Sequence, residues 1–123
     1  MSFDQGNFND FSLPAAADLS AKQYRFITID SSGNAAVSTR GALSCGVLQD
    51  NPAAATRAAR IRPSGLSKVV TGGSVTAGQA LVADANGAAV NASSADNAFM
   101  GIAVTGGASG DIITMLIQAR GLS

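Results

Sequence analysis

The side chains that could do chemistry are few, and the types that catalysis uses most are missing. Eight Asp residues carry all the acidic charge, because the chain has no Glu. It also has no His, and Cys45 is the single cysteine. Without histidine there is no ordinary general base near neutral pH, no Ser-His-Asp or Cys-His pair, and none of the commonest metal ligand. The sequence therefore predicts a protein that is not an enzyme and that holds no metal or cofactor.

Two features resemble reactive sites but are better interpreted as structural elements. Cys45 has no partner for an internal disulfide and lies in an apolar run, which predicts a small, buried and inert thiol. The segment Asp84-Ala85-Asn86-Gly87 begins like a calcium loop but lacks the further ligands and the acidic residue at its end. We therefore interpret this segment as a hairpin turn.

The positive charge is concentrated at Arg57, Arg60 and Arg62, with Arg40 as a candidate neighbour. Residues 60 and 62 share one face if this segment is a strand. Two interpretations remain open: a solvated face balanced by scattered Asp residues, or a patch that meets an acidic partner surface or the acidic arm of an adjacent subunit. The absence of interleaved aromatic residues argues against nucleic acid as the partner.

Residues 1–18 differ in composition from the rest of the chain. Phe3, Phe8 and Phe11, three of the five phenylalanines, are set among Asp, Asn and Gln with neither strand alternation nor a helical stripe. Such a segment is either a mobile tail or an extended arm whose aromatic side chains bind a neighbouring protein. We favour the arm, because a free tail gains nothing from three phenylalanines.

Residues 19–123 are predicted to form a single β domain that positions these groups. The whole chain of 123 residues fits one domain, and its short runs of β-branched and apolar residues end at Asp and Gly turns. Two hairpins are expected, one around the structural turn residues Asp30 and Gly33 and one around Asp84, Asn86 and Gly87. Their strands are 24–29 with 34–38, and 79–83 with 88–92.

The order of these elements repeats along the chain. Asp30 corresponds to Asp84, Gly46 to Gly101 and Gly65 to Gly121, at offsets of 54, 55 and 56 residues. Chance similarity would not keep order and spacing together in this way. The sequence therefore predicts an all-β fold of two pseudo-repeats, about 19–67 and 74–123. They are expected to pack as one small β-sandwich or barrel, because each half is too small to hide its own hydrophobic face.

Charge and hydropathy limit the partners. Eight Lys and Arg residues balance eight Asp residues, so no overall positive field attracts nucleic acid or acidic lipid. No apolar run approaches the roughly 20 residues that cross a bilayer, and the N-terminal segment has no basic start of an export signal. We expect a chain that binds neither a membrane nor nucleic acid.

Several short motifs follow one another in a particular order. They are Leu19-Ser20-Ala21-Lys22-Gln23-Tyr24-Arg25-Phe26, Asp30-Ser31-Ser32-Gly33, Gly46-Val47-Leu48-Gln49, Gly65, Thr76-Ala77-Gly78-Gln79-Ala80-Leu81, Asp84-Ala85-Asn86-Gly87, Gly101-Ile102-Ala103 and Ser109-Gly110-Asp111. Over residues 19–118 this order resembles the capsid cement or head decoration proteins of tailed bacteriophages. The motifs are glycines and turns rather than catalytic residues. The sequence departs from the resemblance at 53–56, where Ala-Ala-Ala-Thr stands in place of an expected glycine turn.

The resemblance implies a non-enzymatic virion protein, made in the host cytoplasm, that lies on the outer surface of the expanded capsid. Its partner would be the major capsid protein, and it would bridge neighbouring capsomers. Such proteins often form homo-oligomers, with a trimer favoured. Phe3, Phe8 and Phe11 are then the first candidates for capsid or subunit contacts, and Arg57, Arg60 and Arg62 the second.

Two alternatives come from other classes of protein. A tail or baseplate component of the virion would also suit a β-rich repeat. A small ligand-binding or carrier β module fits less well, because a biotinyl or lipoyl carrier needs a lysine at a hairpin tip. Neither Lys22 nor Lys68 lies in a tight predicted turn.

Overall fold

The computed structural model describes residues 10–40, 42–93 and 98–121, and within these ranges it consists of strands, turns and loops without a helix. Within the same ranges ten strands form two five-stranded sheets, and every pairing between these strands is antiparallel. The all-β prediction is therefore confirmed. No helix in the described ranges is long and apolar enough to cross a bilayer.

The first sheet contains the first five strands in the spatial order β1-β5-β4-β2-β3. The strands are β1 (Phe11–Pro14), β2 (Phe26–Ile29), β3 (Ala35–Val37), β4 (Ser44–Leu48) and β5 (Ala58–Arg62). Ala15, directly after β1, makes a parallel bridge to Ala35 at the start of β3. This bridge joins the two edge strands, so the sheet curls around its own apolar face.

The second sheet repeats this arrangement with the spatial order β6-β10-β9-β7-β8. Its strands are β6 (Gly65–Val70), β7 (Ala80–Ala83), β8 (Ala89–Asn91), β9 (Ala98–Ala103) and β10 (Ile112–Gly121). Thr71, directly after β6, makes a parallel bridge to Ala89 at the start of β8. Strand for strand, β1 to β5 are therefore equivalent to β6 to β10, which confirms a fold built from two repeated halves.

The repeat extends to individual hydrogen bonds in the two hairpin turns. Asp30 Oδ1 accepts the backbone N–H groups of Ser32 and Asn34, both at 2.9 Å. Asp84 Oδ1 accepts those of Asn86 and Ala88, at 2.7 and 3.0 Å. In each turn a short acidic side chain replaces a backbone acceptor.

Left-handed backbone conformations are also repeated, although the residue types differ. Tyr24 has φ of 66° and its equivalent Gly78 has φ of 90°, whereas Thr56 has φ of 72° and its equivalent Gly110 has φ of 88°. The glycine turn expected around 53–56 is therefore present as a backbone conformation, but threonine occupies it. Because Tyr24 lies in this turn, the strand predicted from residue 24 begins only at Phe26.

The division between the halves differs from the prediction. Gly65 was predicted to close the first half. Instead, residues 65–70 form β6 and begin the second half. Gly65 is the register partner of Ile117 on β10, so this segment pairs with the end of the last strand rather than corresponding to it. Its equivalent in the first half is β1, which lies inside the predicted arm of residues 1–18.

Each sheet has its own apolar cluster. The first contains Ile27, Leu48 and Ile61 at 0% exposure, with Phe11 and Cys45 packed against it. The second contains Leu81 and Met115 at 0% and also draws two residues from the first sheet, Phe26 and Val47. These two residues are register partners on the opposite face of the first sheet from Ile27. The first sheet therefore covers part of the second cluster.

Backbone and side-chain bonds join the two sheets around these residues. The N–H of Phe26 donates to the carbonyl of Gly87 at 2.8 Å, and the N–H of Val70 donates to the carbonyl of Tyr24 at 2.9 Å. Gln49, 8% exposed, donates through Nε2 to Ser67 Oγ at 2.9 Å. Buried polar groups that are paired in this way fix one arrangement of the two sheets.

Candidate functional site

The predicted aromatic anchors are divided by the structure. Phe3 and Phe8 lie outside the described residues, and Phe11 lies on β1, half-buried against the first cluster. The register partner of Phe11 is Ile61 on β5. At least part of the Phe11 ring therefore stabilises its own chain, whereas Phe3 and Phe8 as anchors remain predictions.

Arg60 and Arg62 lie on one face of β5, and both contact Asp10 of the same chain. Arg62 donates from Nε to Asp10 Oδ1 at 2.9 Å and from Nη2 to Oδ2 at 3.2 Å. Arg60 Nε lies 3.5 Å from Asp10 Oδ2. A two-point guanidinium–carboxylate pair of this kind is strong and geometrically specific. The acidic group that faces this pair therefore belongs to the same chain and lies within residues 1–18, the segment predicted to form an arm.

The two arginines differ in what they can offer to another molecule. The Arg62 side chain is only 16% exposed and also donates from Nη1 to the carbonyl of Leu66 at 3.1 Å. The Arg60 side chain is 54% exposed. Arg57 precedes β5 in an exposed turn, and its carbonyl accepts the N–H of Ala15 at 2.8 Å. Arg57 and Arg60 are therefore the accessible members of the cluster, and Arg62 is a structural one.

Asp10 is the site residue that sequence reasoning missed. In the sequence it is one of several polar residues among phenylalanines, and nothing local marks it as a partner of Arg62, 52 positions later. Only the antiparallel pairing of β1 with β5 brings the two residues together. The strand character of 11–14 was the missing signal, and Pro14 obscured it because proline is confined to edge positions of sheets.

The turn residues lie at the loop ends of the two hairpins, as described above, and the second turn has an additional contact. Gly87 packs so closely that a Cβ there would lie 2.7 Å from Val37 Cγ1 and 3.1 Å from the carbonyl oxygen of Phe26. Asn86 accepts from Arg25 Nη1 through its carbonyl at 3.0 Å. The turn from Asp84 to Gly87 is therefore part of the contact between the sheets. At Gly33, in contrast, no atom of the described residues lies within 4 Å of an added Cβ.

Cys45 lies on β4 and packs against the first cluster, half-buried. Burial raises the pKa of its thiol, because the charged thiolate is less well solvated there. A thiol with a raised pKa is a poor nucleophile near neutral pH. In the described part of the chain no cluster of three or more Asp and Cys side chains could hold a metal ion.

Among the residues whose burial the structure describes, large apolar side chains are exposed mainly around the second sheet. Leu66 on β6 is 51% exposed, and its register partner Leu116 on β10 is 37% exposed. Leu116 is in turn the register partner of Ile102 on β9. The others are Val104 at 48%, Ile112 at 56%, Ile29 at 49% and Leu43 at 88%. An apolar sheet face of this kind is typical of an interaction surface.

Comparison with known proteins gives one family and a similar solved structure. The family model described as phage cement protein matches residues 4–118. The crystal structure of the head fiber gp8.5 N base in bacteriophage phi29 is similar with a TM-score of 0.72 and 16% sequence identity, covering 95% of this chain and 99% of that chain. At this identity the likeness concerns the fold. No curated protein matches.

Proposed function

Because this chain belongs to the phage cement protein family, we propose that it binds the outer surface of the expanded phage capsid and bridges neighbouring capsomers. The chain is a structural protein of the phage virion. The observation that carries the more specific role is the family match over residues 4–118, which includes most of the predicted arm as well as both sheets. We propose the major capsid protein as its partner.

The proposed mechanism is thermodynamic linkage rather than catalysis. A protein that binds the assembled, expanded lattice and not its dissociated parts stabilises that lattice by mass action. When each copy touches two capsomers, the second contact forms at high effective concentration, and the gain accumulates over many copies. A non-enzymatic role is supported by a sequence without His or Glu.

Two groups of residues are proposed to make the capsid contacts. Aromatic anchors supply most of the energy of an interface, which favours Phe3 and Phe8 of the arm. Exposed charges mainly set the register and the encounter rate, and this role suits Arg57 and Arg60. Because Arg62 and Phe11 are engaged within the chain, their contribution would be to hold the arm's origin against β5.

Co-sedimentation with two kinds of shell tests the proposal. The purified protein is mixed with expanded capsids that lack it and, separately, with unexpanded procapsids, and the bound copies per major capsid subunit are counted. We expect saturable binding to the expanded shells alone, at a ratio set by the lattice. Absence of binding to either shell would overturn the capsid role and favour a tail or baseplate component.

We further propose that the protein acts as a homo-oligomer, and as a trimer in particular. Trimers match three-fold positions of an icosahedral shell, where one particle can touch several capsomers. Light scattering coupled to gel filtration measures the mass directly, and three times the chain mass is the expected value. A monomer at every concentration would contradict this part of the proposal.

A further inference from the structure

The exposed apolar residues of the second sheet lie where the first sheet is covered by its own chain. Val104 is equivalent to Gln49, and Leu116 is equivalent to Arg62, by the spacing that relates the two halves. Gln49 and Arg62 both bond to residues of β6, through Ser67 Oγ and the carbonyl of Leu66. Val104 and Leu116 are instead 48% and 37% exposed.

The rest of this contact has equivalents in the second sheet too. Phe26 and Val47, which are register partners, cover the second cluster at 0% exposure. Their equivalents Ala80 and Ile102 are also register partners, but they are half-buried. We call Ala80, Ile102, Val104 and Leu116 the cap face, because the same positions of the first sheet cap the cluster of the second.

The first sheet has an exposed counterpart of the surface that is covered in the second sheet. In the second sheet, Ala83 lies beside the turn from Asp84 to Gly87, is 4% exposed and belongs to the cluster that Phe26 covers. Its equivalent Ile29 lies beside the turn from Asp30 to Gly33 and is 49% exposed. We call Ile29, this turn and Phe11, the equivalent of Ser67, the open end of the first sheet.

We infer that the cap face of one copy binds the open end of the first sheet of a second copy of this chain. The contact between the two halves within the chain is the template: one sheet's outer face already covers the other sheet's end. The same two surfaces, each with exposed apolar residues, are left over at the two extremes of the repeat. The inference gives the proposed homo-oligomer its contact surface and rests on that part of the proposed function alone.

Such a contact is head-to-tail, because two different surfaces meet. It repeats from copy to copy until the ring closes. In the trimer proposed above, three chains would place six similar halves around the axis.

One hydrogen bond of the contact within the chain is not reproduced between copies. The N–H of Val70 donates to the carbonyl of Tyr24, but the equivalent of Val70 is Pro14, which has no N–H. The contact between copies is therefore expected to be more apolar than the one within the chain.

Aspartate substitutions test the surface in the absence of capsids. Val104→Asp and Leu116→Asp put a charge into the cap face, and each is expected to weaken self-association at least about tenfold, measured by light scattering over a dilution series. Ile112→Asp is the matched control. Ile112 lies on the same face of β10 and is 56% exposed, but its equivalent Ala58 is exposed and outside the covered region. Unchanged thermal melting of all three variants shows that they fold.

Photo-cross-linking gives a second readout that does not depend on weakening the oligomer. With p-benzoylphenylalanine at position 104, the expected product joins two chains, and its mass-spectrometric map ends near Phe11 or in the turn from Asp30 to Gly33. A monomeric wild type, a cross-link within one chain, or equal effects of Ile112→Asp and Leu116→Asp would overturn the inference. Capsid co-sedimentation is a separate measurement. A protein that self-associates but does not bind capsids contradicts only the proposed capsid role.

Discussion

Asp10, directly before β1, and Arg62, the last residue of β5, are joined by two hydrogen bonds, of 2.9 and 3.2 Å. The equivalent positions of the second sheet hold Leu66 and Leu116, which are register partners on β6 and β10. The pair at these equivalent positions is therefore charged in the first sheet and apolar in the second. A largely buried ion pair is stabilising only while both partners are present, since each charge alone is costly to bury.

Replacing Asp10 by Asn is expected to lower the free energy of unfolding by about 1–3 kcal/mol, because the guanidinium of Arg62 then lacks its counter-charge. Urea denaturation measures the change. The double variant Asp10→Leu, Arg62→Leu copies the pair found in the second sheet and is expected to recover most of the loss. A double variant that is less stable than Asp10→Asn would contradict this account of the pair.

Thr56→Gly is expected to stabilise the protein. A β-branched residue at φ of 72° is strained by about 1–2 kcal/mol. Glycine removes the strain and costs up to about 1 kcal/mol in unfolded-state entropy, so a net gain of about 0.5–1 kcal/mol follows. Ala55→Gly in the same exposed turn is the matched control and is expected to destabilise, because Ala55 has no positive φ. A loss of stability with Thr56→Gly would refute the strain argument.

The two hairpins with their strands, and the order of turns that repeats along the chain, could be predicted from sequence because their signals are local. Asp and Gly at fixed turn positions and β-branched runs between them act through neighbouring residues only. Residues 60 and 62 lie on a strand, β5 at Ala58–Arg62, which is the condition under which they were expected to share one face. The turn at Thr56 was harder, because threonine gives no local signal for the positive φ that this position adopts.

Long-range pairing accounts for what sequence reasoning missed. β1 and β6 are edge strands whose partners on β5 and β10 lie about fifty positions away, so neighbouring residues do not reveal what they pair with. The match of Gly65 with Gly121 was a likeness of short motifs, and the structure pairs the two regions instead. The Asp10–Arg62 contact depends on that pairing, so the candidate site could not be assembled before the sheet order was known.

Gly87→Ala is expected to destabilise the contact between the sheets more than Gly33→Ala does. Both glycines have positive φ, of 76° and 81°, and both variants incur the conformational cost of about 1 kcal/mol. Only Gly87 is also close-packed, with Val37 Cγ1 at 2.7 Å from the position of an added Cβ. Overpacking adds about 1–3 kcal/mol. Thermal unfolding of the two variants compares them directly, and equal losses would show that the turn can move away without cost.

Alkylation of Cys45 is expected to be slow in the folded protein. Burial raises the pKa of the thiol, so at about pH 8 a smaller fraction is thiolate than in the unfolded chain, and access is reduced as well. The rate with iodoacetamide is expected to rise with pH and to increase at least about tenfold in urea. The adduct is followed by mass, with Cys45→Ser as the blank. Equal rates in the folded and unfolded chain would mean that β4 opens readily.

The contribution of the arm to capsid binding is best tested by a cut before Asp10. Removing residues 1–14 would also delete β1 and the ion pair with Arg62, so weaker binding could then reflect lost stability. Deletion of residues 1–9 removes Phe3 and Phe8 and keeps both features. We expect the shortened chain to melt like the full one and to bind expanded capsids at least about tenfold more weakly, because aromatic anchors dominate interface energies.

Point variants separate the aromatic side chains from the arm as a whole. Phe3→Ala with Phe8→Ala is expected to reproduce most of the effect of the deletion in the co-sedimentation assay. Asn7→Ala with Asn9→Ala is the matched control within the same segment and is expected to bind almost normally, since polar residues at a rim contribute little. If the deletion weakens binding while the phenylalanine pair does not, the arm binds through its backbone or charge. If neither weakens it, the capsid contacts lie on the sheets, and Arg57 and Arg60 become the first residues to replace.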